Sequence, residues 1–287
     1  MSYRGVLHKY NETQVAFELP PADLPNVLIM IGGMTDGLLT VPYAVGLSRV
    51  LEPLGYSVVQ IQMRSSYLGW GTSSLSEDVE QIRELVDFLR SDAGGNRKKI
   101  VLMGHSTGSQ DVMLYMLKHG GTIDAGILQG SCSDREAAPI DVPTDVLEAL
   151  NDEASKLKDA GKDDELLPSK FSKIVAGTPI SVYRWCSIML PKGDDDYFSS
   201  DIPEDVLQQT FGKLNKPFLI AYSAEDEFVP TTVDKVALLR KWREASNPQF
   251  WSRNSGLVAG ASHAVKDPEA QKNLFQMVTN FFKEFGL

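Results

Sequence analysis

Residues 100–109 read Ile100-Val101-Leu102-Met103-Gly104-His105-Ser106-Thr107-Gly108-Ser109, and this stretch decides the predicted fold. It places the motif G-x-S-x-G between an apolar run that predicts a strand and a periodic run that predicts a helix. A serine at so sharp a turn adopts a strained backbone conformation, which is tolerable only if Gly104 and Gly108 keep neighbouring side chains away. The hydroxyl group of Ser106 is then exposed at the end of the strand, which makes Ser106 the candidate nucleophile.

The alternation of apolar strands and amphipathic helices extends in both directions from this turn. Strands that are apolar on both faces are typical of a parallel sheet covered by helices on its two sides. We therefore predict an α/β fold with a mostly parallel central sheet, and alternating residues around Val6 and Val15 predict an antiparallel edge. Ser74 and Glu77 have the spacing of a helix capping box. The expected strands are Val27–Ile31, Tyr56–Met63, Ile100–Met103, Ile123–Leu128, Pro217–Tyr222 and Ser255–Val258, and the expected helical segments are Val41–Leu54, Leu75–Arg90, Ser109–Lys118 and a last helix ending near Phe285.

This alternation stops between Ser133 and Asn215. The stretch has no strong apolar strand. It has a helical pattern of apolar residues, Val146, Leu147, Leu150 and Leu157, and the opposite side of that helix is heavily charged. We therefore predict a core of residues 1–132 and 216–287, into which residues 133–215 insert as a mainly helical cap.

A serine hydroxyl needs a base to remove its proton, and the chain has four histidines. His8 lies in the predicted edge, His105 belongs to the turn itself, and His119 follows a helix. His263 follows the last predicted strand, in a loop at the carboxyl edge of the sheet, where catalytic groups of parallel sheets gather. We predict that His263 accepts the proton of Ser106 and returns it to the leaving group.

The acid that orients this histidine should follow a strand that lies between the nucleophile and the base in the chain. Asp226 does so, and its carboxylate would fix the tautomer of His263 and stabilise the charged ring. The neighbouring Glu225 and Glu227 are expected to point elsewhere. Asp134, which follows the preceding strand, is the alternative acid.

A tetrahedral intermediate carries negative charge on oxygen, so two backbone N–H groups must converge on that atom. One is expected from Thr107, the residue after the nucleophile, and the other from the glycine-rich loop after the first parallel strand. By its position in that loop Met34 is assigned as the second donor, with Gly33 as the alternative.

The composition excludes several classes of partner. The 287 residues include 28 Lys and Arg against 38 Asp and Glu, a formal charge of −10, which repels nucleic acid and anionic membrane surfaces. Neither is therefore expected as a partner. The hydrophobic fraction of 43% predicts a folded globular protein. Cys132 and Cys186 are too few for a disulfide framework, and residues 1–14 lack the apolar stretch of a secretory signal, so we expect a cytoplasmic protein.

Two further groups of residues are binding candidates. The run Asp194-Asp195-Asp196 could bind a cation, but contiguous side chains diverge, which favours a solvated or capping role. Four aromatic side chains could line a pocket beneath the cap, with ordinary packing as the equal alternative: Trp70, Tyr183, Trp185 and Tyr197.

The motifs resemble those of a known superfamily. Gly104–Gly108, Asp226 and His263, in this chain order, resemble the nucleophile, acid and base of the α/β-hydrolase superfamily. A narrower set is similar to the motifs of a largely fungal hydrolase family that includes intracellular siderophore esterases: Gly32–Gly37, Gly104–Gly108, Tyr183-Arg184 and Asp194–Asp201. The resemblance implies a fungal cytoplasmic enzyme that hydrolyses ester bonds of fusarinine-type hydroxamate siderophores and so helps to release iron.

The residues together predict a serine esterase that works through an acyl-enzyme and requires no cofactor and no metal. Ser106 attacks the ester carbonyl, and water activated by His263 releases the acyl group. The expected partner is a small-molecule ester, with a siderophore as the specific case and ferric ion only as cargo. The alternatives are a thioesterase or peptidase with the same triad, or a noncatalytic protein that keeps a ligand pocket.

Overall fold

Eight strands form one central sheet in the computed structural model, which describes residues 2–287. They lie in the order β1-β2-β4-β3-β5-β6-β7-β8, where the pairs β1–β2 and β2–β4 are antiparallel and the remaining pairs are parallel. The predicted α/β fold with an antiparallel N-terminal edge is thereby confirmed. The bounds are β1 (Val6–Lys9), β2 (Val15–Glu18), β3 (Asn26–Ile31), β4 (Tyr56–Ile61), β5 (Lys99–His105), β6 (Ala125–Gln129), β7 (Phe218–Ser223) and β8 (Gly256–Val258).

Helices cover both faces of this sheet. Successive residues of β3 belong alternately to two apolar layers, with Val27, Ile29 and Ile31 on one face and Leu28 and Met30 on the other. Both faces of the strand must therefore be shielded from water. The helices are α1 (Ala44–Leu51), α2 (Leu75–Arg90), α3 (Gly108–His119), α4 (Asp134–Asp141), α5 (Thr144–Asp159), α6 (Ser169–Ser172), α7 (Val182–Met189), α8 (Glu204–Gln209), α9 (Lys235–Ala245) and α10 (Pro268–Phe285).

Helix α2 has the bounds that the sequence pattern predicts. The side chain of Ser74 accepts the backbone N–H of Glu77 at 3.1 Å, which satisfies one of the free donors of the first turn. The apolar side of the helix is buried in the layer that also holds α3, through Val79, Ile82, Leu85, Val86 and Leu89. This packing fixes the first turn of α2, and with it Asp78, near the carboxyl edge of the sheet.

Helices α4 to α8 lie in the stretch between β6 and β7. The apolar side chains of α5, α6 and α7 form a cluster apart from the two layers on the sheet, and Trp70 joins it from the loop before α2. Leu207 of α8 packs instead in the sheet layer that also holds α3. On α5, Leu147 and Leu150 are buried as the helical pattern predicts. Val146 was expected on the same side but is 41% exposed, because α5 packs against α7 along one narrow face.

Helix α9, between β7 and β8, was not expected from the sequence. Leu238, Trp242 and Ala245 are its buried residues, so its apolar stripe is narrow and its other positions are mostly polar or charged. Within residues 2–287, none of the helices combines the length and apolar character needed to cross a bilayer.

Candidate active site

Ser106 lies in the turn between β5 and α3, where its backbone φ is +54°. This left-handed conformation is strained for a residue with a side chain, as the motif predicts. A Cβ at Gly104 would overlap the carbonyl oxygen of Gly108, and a Cβ at Gly108 would lie 2.5 Å from the carbonyl oxygen of Ile31. The turn is fastened to β6, since the backbone N–H of Ser106 donates to the carbonyl of Gln129 at 2.9 Å.

Three side chains from distant parts of the chain form one hydrogen-bonded series at this turn. Oγ of Ser106 lies 2.7 Å from Nε2 of His263, and Nδ1 of His263 lies 2.8 Å from Oδ2 and 3.0 Å from Oδ1 of Asp226. The structure thus brings together the residues predicted as nucleophile, base and acid. With the proton on Nδ1, Nε2 can accept the serine proton, which is the arrangement that general-base catalysis needs.

His105 lies beside this series without entering it. Its ring centroid is 5.2 Å from that of His263, and its Nδ1 donates to Oε1 of Gln129 at 2.6 Å. Burial lowers the pKa of His105 to about 4, and the neighbouring His263 contributes to the shift. His105 is therefore neutral at physiological pH and acts as a packing partner of the triad.

Asp134, the alternative acid, has a different partner. Its Oδ2 accepts the side-chain N–H of Gln110 at 3.0 Å, while His263 directs Nδ1 at Asp226. Burial, with a further contribution from Asp195, raises the pKa of Asp134 to about 7. A carboxyl group that is protonated in part at neutral pH, and is bonded elsewhere, is poorly suited to orient the histidine.

Two residues that hold His263 were missed by sequence reasoning. Oε2 of Glu227 accepts the backbone N–H of His263 at 2.8 Å, so the expectation that Glu227 points elsewhere is wrong. The loop after Asp226 turns back on itself and directs this carboxylate at the histidine loop. Nε2 of Gln129 donates to the carbonyl of His263 at 3.2 Å, while Oε1 accepts from Tyr43 at 2.8 Å. For Gln129 the available sequence signal was a glutamine at the end of an apolar strand, beside the serine turn. No sequence signal indicated the role of Glu227.

The loop after β3, residues 32–37, is here called the oxyanion loop, and it runs directly beside Ser106. A Cβ at Gly33 would lie 2.6 Å from Cβ of Ser106, so only glycine permits this approach. The N–H of Gly33 donates to Asp36 at 2.9 Å and is therefore engaged. Among residues 2–287, no acceptor is bonded to the backbone N–H of Met34 or of Thr107. The two donors predicted from the sequence are thus free, whereas the alternative Gly33 is not.

A cavity of about 290 Å³, here called the substrate cavity, lies beside the triad. Met34 of the oxyanion loop and Trp70 line it, as does Phe228, whose ring packs edge-on against His263 at 4.8 Å. Helix α7 adds Ile188 and Met189, so the walls are mainly apolar. Such a space suits one portion of a small ester.

The run Asp194–Asp196 binds three separate side chains of the protein. The first carboxylate accepts from the hydroxyl of Tyr183 at 2.6 Å, the second from Arg184 at 2.7 Å and the third from Arg135 at 3.0 Å. The three side chains diverge as expected. A solvated role is wrong for Asp195, however, because this residue is buried against the guanidinium.

The four aromatic candidates do not share one pocket. Trp70 lines the substrate cavity, whereas Tyr197 lines a separate surface groove and Tyr183 bonds to Asp194. Trp185 is fully buried in the cluster of helices α5 to α7, with its ring edge-on to Phe171 at 4.8 Å, so the packing alternative holds for it.

A serine at a strained strand-to-helix turn, with aspartate and histidine following in that order at the carboxyl edge of a mostly parallel sheet, defines an α/β hydrolase. The chain belongs to the family described as "Protein of unknown function (DUF1749)", whose profile matches residues 1–283.

Relatives from fungi match almost the whole chain. "UPF0613 protein PB24D3.06c" of Schizosaccharomyces pombe is 36% identical, over 99% of this chain and 98% of the relative. "Fusarinine C esterase sidJ" of Aspergillus fumigatus is 33% identical, over 94% of this chain and 92% of the relative. The solved structure of "Siderophore hydrolase EstB from Aspergillus fumigatus" is 32% identical with a TM-score of 0.82, over 99% of this chain and 98% of that one. The resemblance inferred from the motifs is confirmed, and the chain is an esterase-class enzyme with the α/β-hydrolase fold.

Proposed function

We propose that this enzyme is a serine esterase whose nucleophile, base and acid are Ser106, His263 and Asp226. The observation that carries the proposal is the hydrogen-bonded series from Oγ through the imidazole ring to the carboxylate, with distances of 2.7 and 2.8 Å. Asp226 holds the proton on Nδ1, which leaves Nε2 as the basic nitrogen.

The reaction follows from these positions. Oγ of Ser106 attacks the ester carbonyl carbon while Nε2 of His263 takes the hydroxyl proton. When the tetrahedral intermediate collapses, the ester C–O bond breaks and the same nitrogen gives that proton to the departing alcohol. A water molecule, deprotonated by Nε2, then attacks the acyl-enzyme and releases the carboxylic acid together with the free serine.

We assign the oxyanion hole to the backbone N–H groups of Met34 and Thr107. Two observations support this choice: the oxyanion loop approaches Ser106 closely, and the N–H of Gly33 is already bonded to Asp36. Free, fixed donors stabilise the oxyanion without having to reorganise during the reaction.

Residues 133–215 act, in this proposal, as a cap over the core formed by residues 1–132 and 216–287. The supporting observations are a separate apolar cluster within the cap and the contribution of α4 and α7 to the walls of the substrate cavity. Specificity would therefore be set mainly by the cap.

The substrates we propose are ester bonds of fusarinine-type hydroxamate siderophores, hydrolysed in the cytoplasm with ferric ion as cargo. The support comes from two relatives at 33% and 32% identity whose names specify fusarinine C esterase and siderophore hydrolase activity. Cys132 and Cys186 are unpaired and buried, which suits a reducing compartment.

Labelling with a fluorescent phosphonate, followed by peptide mapping, tests the nucleophile. Wild type and Ser109→Ala should be labelled at Ser106, and Ser106→Ala should not be labelled. Ser109 is a matched control because its hydroxyl is buried and bonded to carbonyl oxygens of Gly104 and Gln129. Label on another residue, or retained label on Ser106→Ala, would overturn the assignment.

Mass spectrometry of product mixtures tests the substrate. Fusarinine C should be opened to its linear forms, and p-nitrophenyl acetate, an acyl thioester and a short peptide provide comparison. If short acyl esters react while the siderophore is untouched, the siderophore proposal fails and the triad stands. No acyl burst with any ester would favour the noncatalytic alternative.

A further inference from the structure

A second, smaller cavity lies behind the oxyanion loop. We call it the polar chamber; its volume is about 30 Å³, and its lining includes Met34, Asp36, Trp70, Asp78, Thr107, Asp111 and Arg184. Met34 and Thr107 are also the proposed oxyanion donors. The chamber therefore adjoins the place where the carbonyl group of a substrate would bind.

The charges in the polar chamber do not balance. Nη1 of Arg184 is 2.7 Å from Asp195, which does not line the chamber. Within residues 2–287, no lysine, arginine or histidine nitrogen comes within 4.0 Å of the carboxylates of Asp78 and Asp111. Asp36 also lines the chamber, and its Oδ2 accepts the backbone N–H of Gly33 at 2.9 Å. Of the three carboxylates in the lining, those of Asp78 and Asp111 thus have no cation in contact.

Asp111 is the residue that most clearly lacks a partner. It is 3% exposed, and its Oδ1 has no hydrogen-bond partner among the described residues. Oγ1 of Thr107, in the same wall, is also without one. A buried carboxylate oxygen without a partner is costly, because water is lost and nothing replaces it.

Burial governs the protonation of both carboxyl groups, and the charge of Arg184 offsets its effect only in part. Burial raises the pKa of Asp78 to about 6, and burial together with the charge of Asp78 raises the pKa of Asp111. A positive group between the two carboxylates would stabilise their ionised forms and reverse these shifts.

The adjoining substrate cavity is also acidic. It shares Met34 and Trp70 with the polar chamber, and the charged residues that line it are Asp134 and Asp141. Carboxylates therefore face a substrate on both sides of these two shared side chains, which favours a positively charged ligand.

We propose that the polar chamber binds a protonated primary amine carried on the acyl part of the ester substrate, with Asp111 as its ionic partner. This inference rests on the proposed esterase function and specifies its substrate class. The amine belongs to the acyl part because Met34 and Thr107 line the chamber and would hold the carbonyl oxygen.

Size and hydrogen-bond number support a primary amine. A volume of about 30 Å³ is about two water-sized sites, which admits an ammonium head but excludes a trimethylated one. Its three N–H donors match the carboxylates of Asp111 and Asp78 and the free hydroxyl oxygen of Thr107.

Matched ester pairs test the proposal. The substrates are the ethyl esters of glycine, β-alanine and 4-aminobutanoate, each compared with its N-acetyl form. The readout is the ratio of kcat/KM for the amine to that for the acetylated ester, per active serine titrated with the phosphonate. For the best chain length we expect a ratio of at least about 30, since pairing of a buried charge is worth 2 kcal/mol or more.

Four variants localise the effect. Asp111→Asn should lower the ratio at least about tenfold, and Asp78→Asn, which removes the second carboxylate, should lower it too and serves if the first variant does not fold. Asp87→Asn is the matched control, because this exposed residue of α2 pairs with Arg83 on the surface. It should keep the wild-type ratio, whereas Asp134→Asn, which removes a carboxylate from the substrate cavity, should lower the ratio less than Asp111→Asn does.

The outcomes separate the two proposals. A ratio near one for all three pairs in wild type, with Ser106 labelled and acetylated esters hydrolysed, overturns the amine site and leaves the esterase in place. Loss of the ratio in Asp134→Asn but not in Asp111→Asn would overturn the chamber as its location. Absence of labelling would overturn the esterase itself.

Discussion

Replacement of Asp226 by asparagine tests whether this carboxylate, rather than that of Asp134, orients His263. The two side chains have the same size, so the fold is retained and only the hydrogen-bond chemistry changes. Both oxygens of Asp226 lie within 3.0 Å of Nδ1, and Oδ1 also accepts the backbone N–H of Phe228 at 3.1 Å. The asparagine oxygen will keep the Phe228 bond, so its NH₂ group will face Nδ1.

The expected loss follows from the tautomer. An NH₂ group donates to Nδ1, which moves the ring proton of His263 to Nε2, the nitrogen that faces Ser106 at 2.7 Å. A protonated Nε2 cannot accept the serine proton. The wrong tautomer in a triad lowers kcat about 10⁴-fold, which corresponds to about 5 kcal/mol of transition-state stabilisation.

Stopped-flow hydrolysis of p-nitrophenyl acetate measures the effect on the acylation burst and on steady-state turnover. Glu225→Gln, an exposed neighbour in the same loop, should match wild type. Asp134→Asn should lose less than tenfold, because its carboxylate is bonded to Gln110. A loss near 10⁴-fold in Asp134→Asn, with little loss in Asp226→Asn, would refute the assigned acid.

Three further predictions concern the buried groups around the site. Because burial raises the pKa of Asp78 to about 6 from 3.8, its contribution to stability is present below pH 4 and is lost as pH rises through 6. Urea unfolding of wild type relative to Asp78→Asn should therefore show a difference that falls by about 2 kcal/mol between pH 4 and 7, and a constant difference would contradict the pKa. Gly104→Ala should slow phosphonate labelling at least about 100-fold, since the new Cβ overlaps Gly108 and displaces the turn, and labelling at the wild-type rate would disprove that overlap. Burial raises the pKa of the Cys132 thiol, so iodoacetamide at pH 8 should alkylate it only after denaturation, as mass spectrometry of native and unfolded samples will show.

The polar chamber and the substrate cavity are both acidic, and in the proposed reaction a negatively charged oxyanion forms close to them. Burial keeps the pKa of Asp111 raised, so its carboxyl group is protonated more readily when the polar chamber contains no cation. A substrate amine would add a positive charge in contact with Asp111 as the carbonyl enters the oxyanion hole. Substrate binding and charge balance are thus coupled in the proposed enzyme.

The sheet, the turn at Ser106 and the identities of the three triad candidates were predictable because each has a local signature. Apolar runs predict strands, Gly104 and Gly108 are needed for a strained turn, and a histidine after the last strand must emerge at the carboxyl edge. Helix α9 escaped prediction because its narrow apolar stripe resembles that of an exposed segment.

The alternatives that the sequence left open were resolved by packing. Asp226 and Asp134 both follow strands, and only their partners in three dimensions distinguish them: one faces His263 and the other Gln110. The same is true of Glu227, whose contact with the backbone of His263 spans 36 residues of the chain. Such contacts depend on the path of a loop in the folded protein. Patterns of residues that are adjacent in the sequence do not determine that path.

The sequence by itself determined the α/β fold, the strained serine turn and the chain order of the proposed nucleophile, acid and base, because these depend on local periodicity and on glycine. Tertiary structure alone decided which carboxylate meets His263, that the N–H of Gly33 is engaged, and that Asp78, Asp111 and Arg184 share one buried space. The physical reason is that burial and partner choice for a charged side chain depend on groups brought together from separate helices and loops. The spacing of these residues along the chain does not show which of them are close in the folded protein.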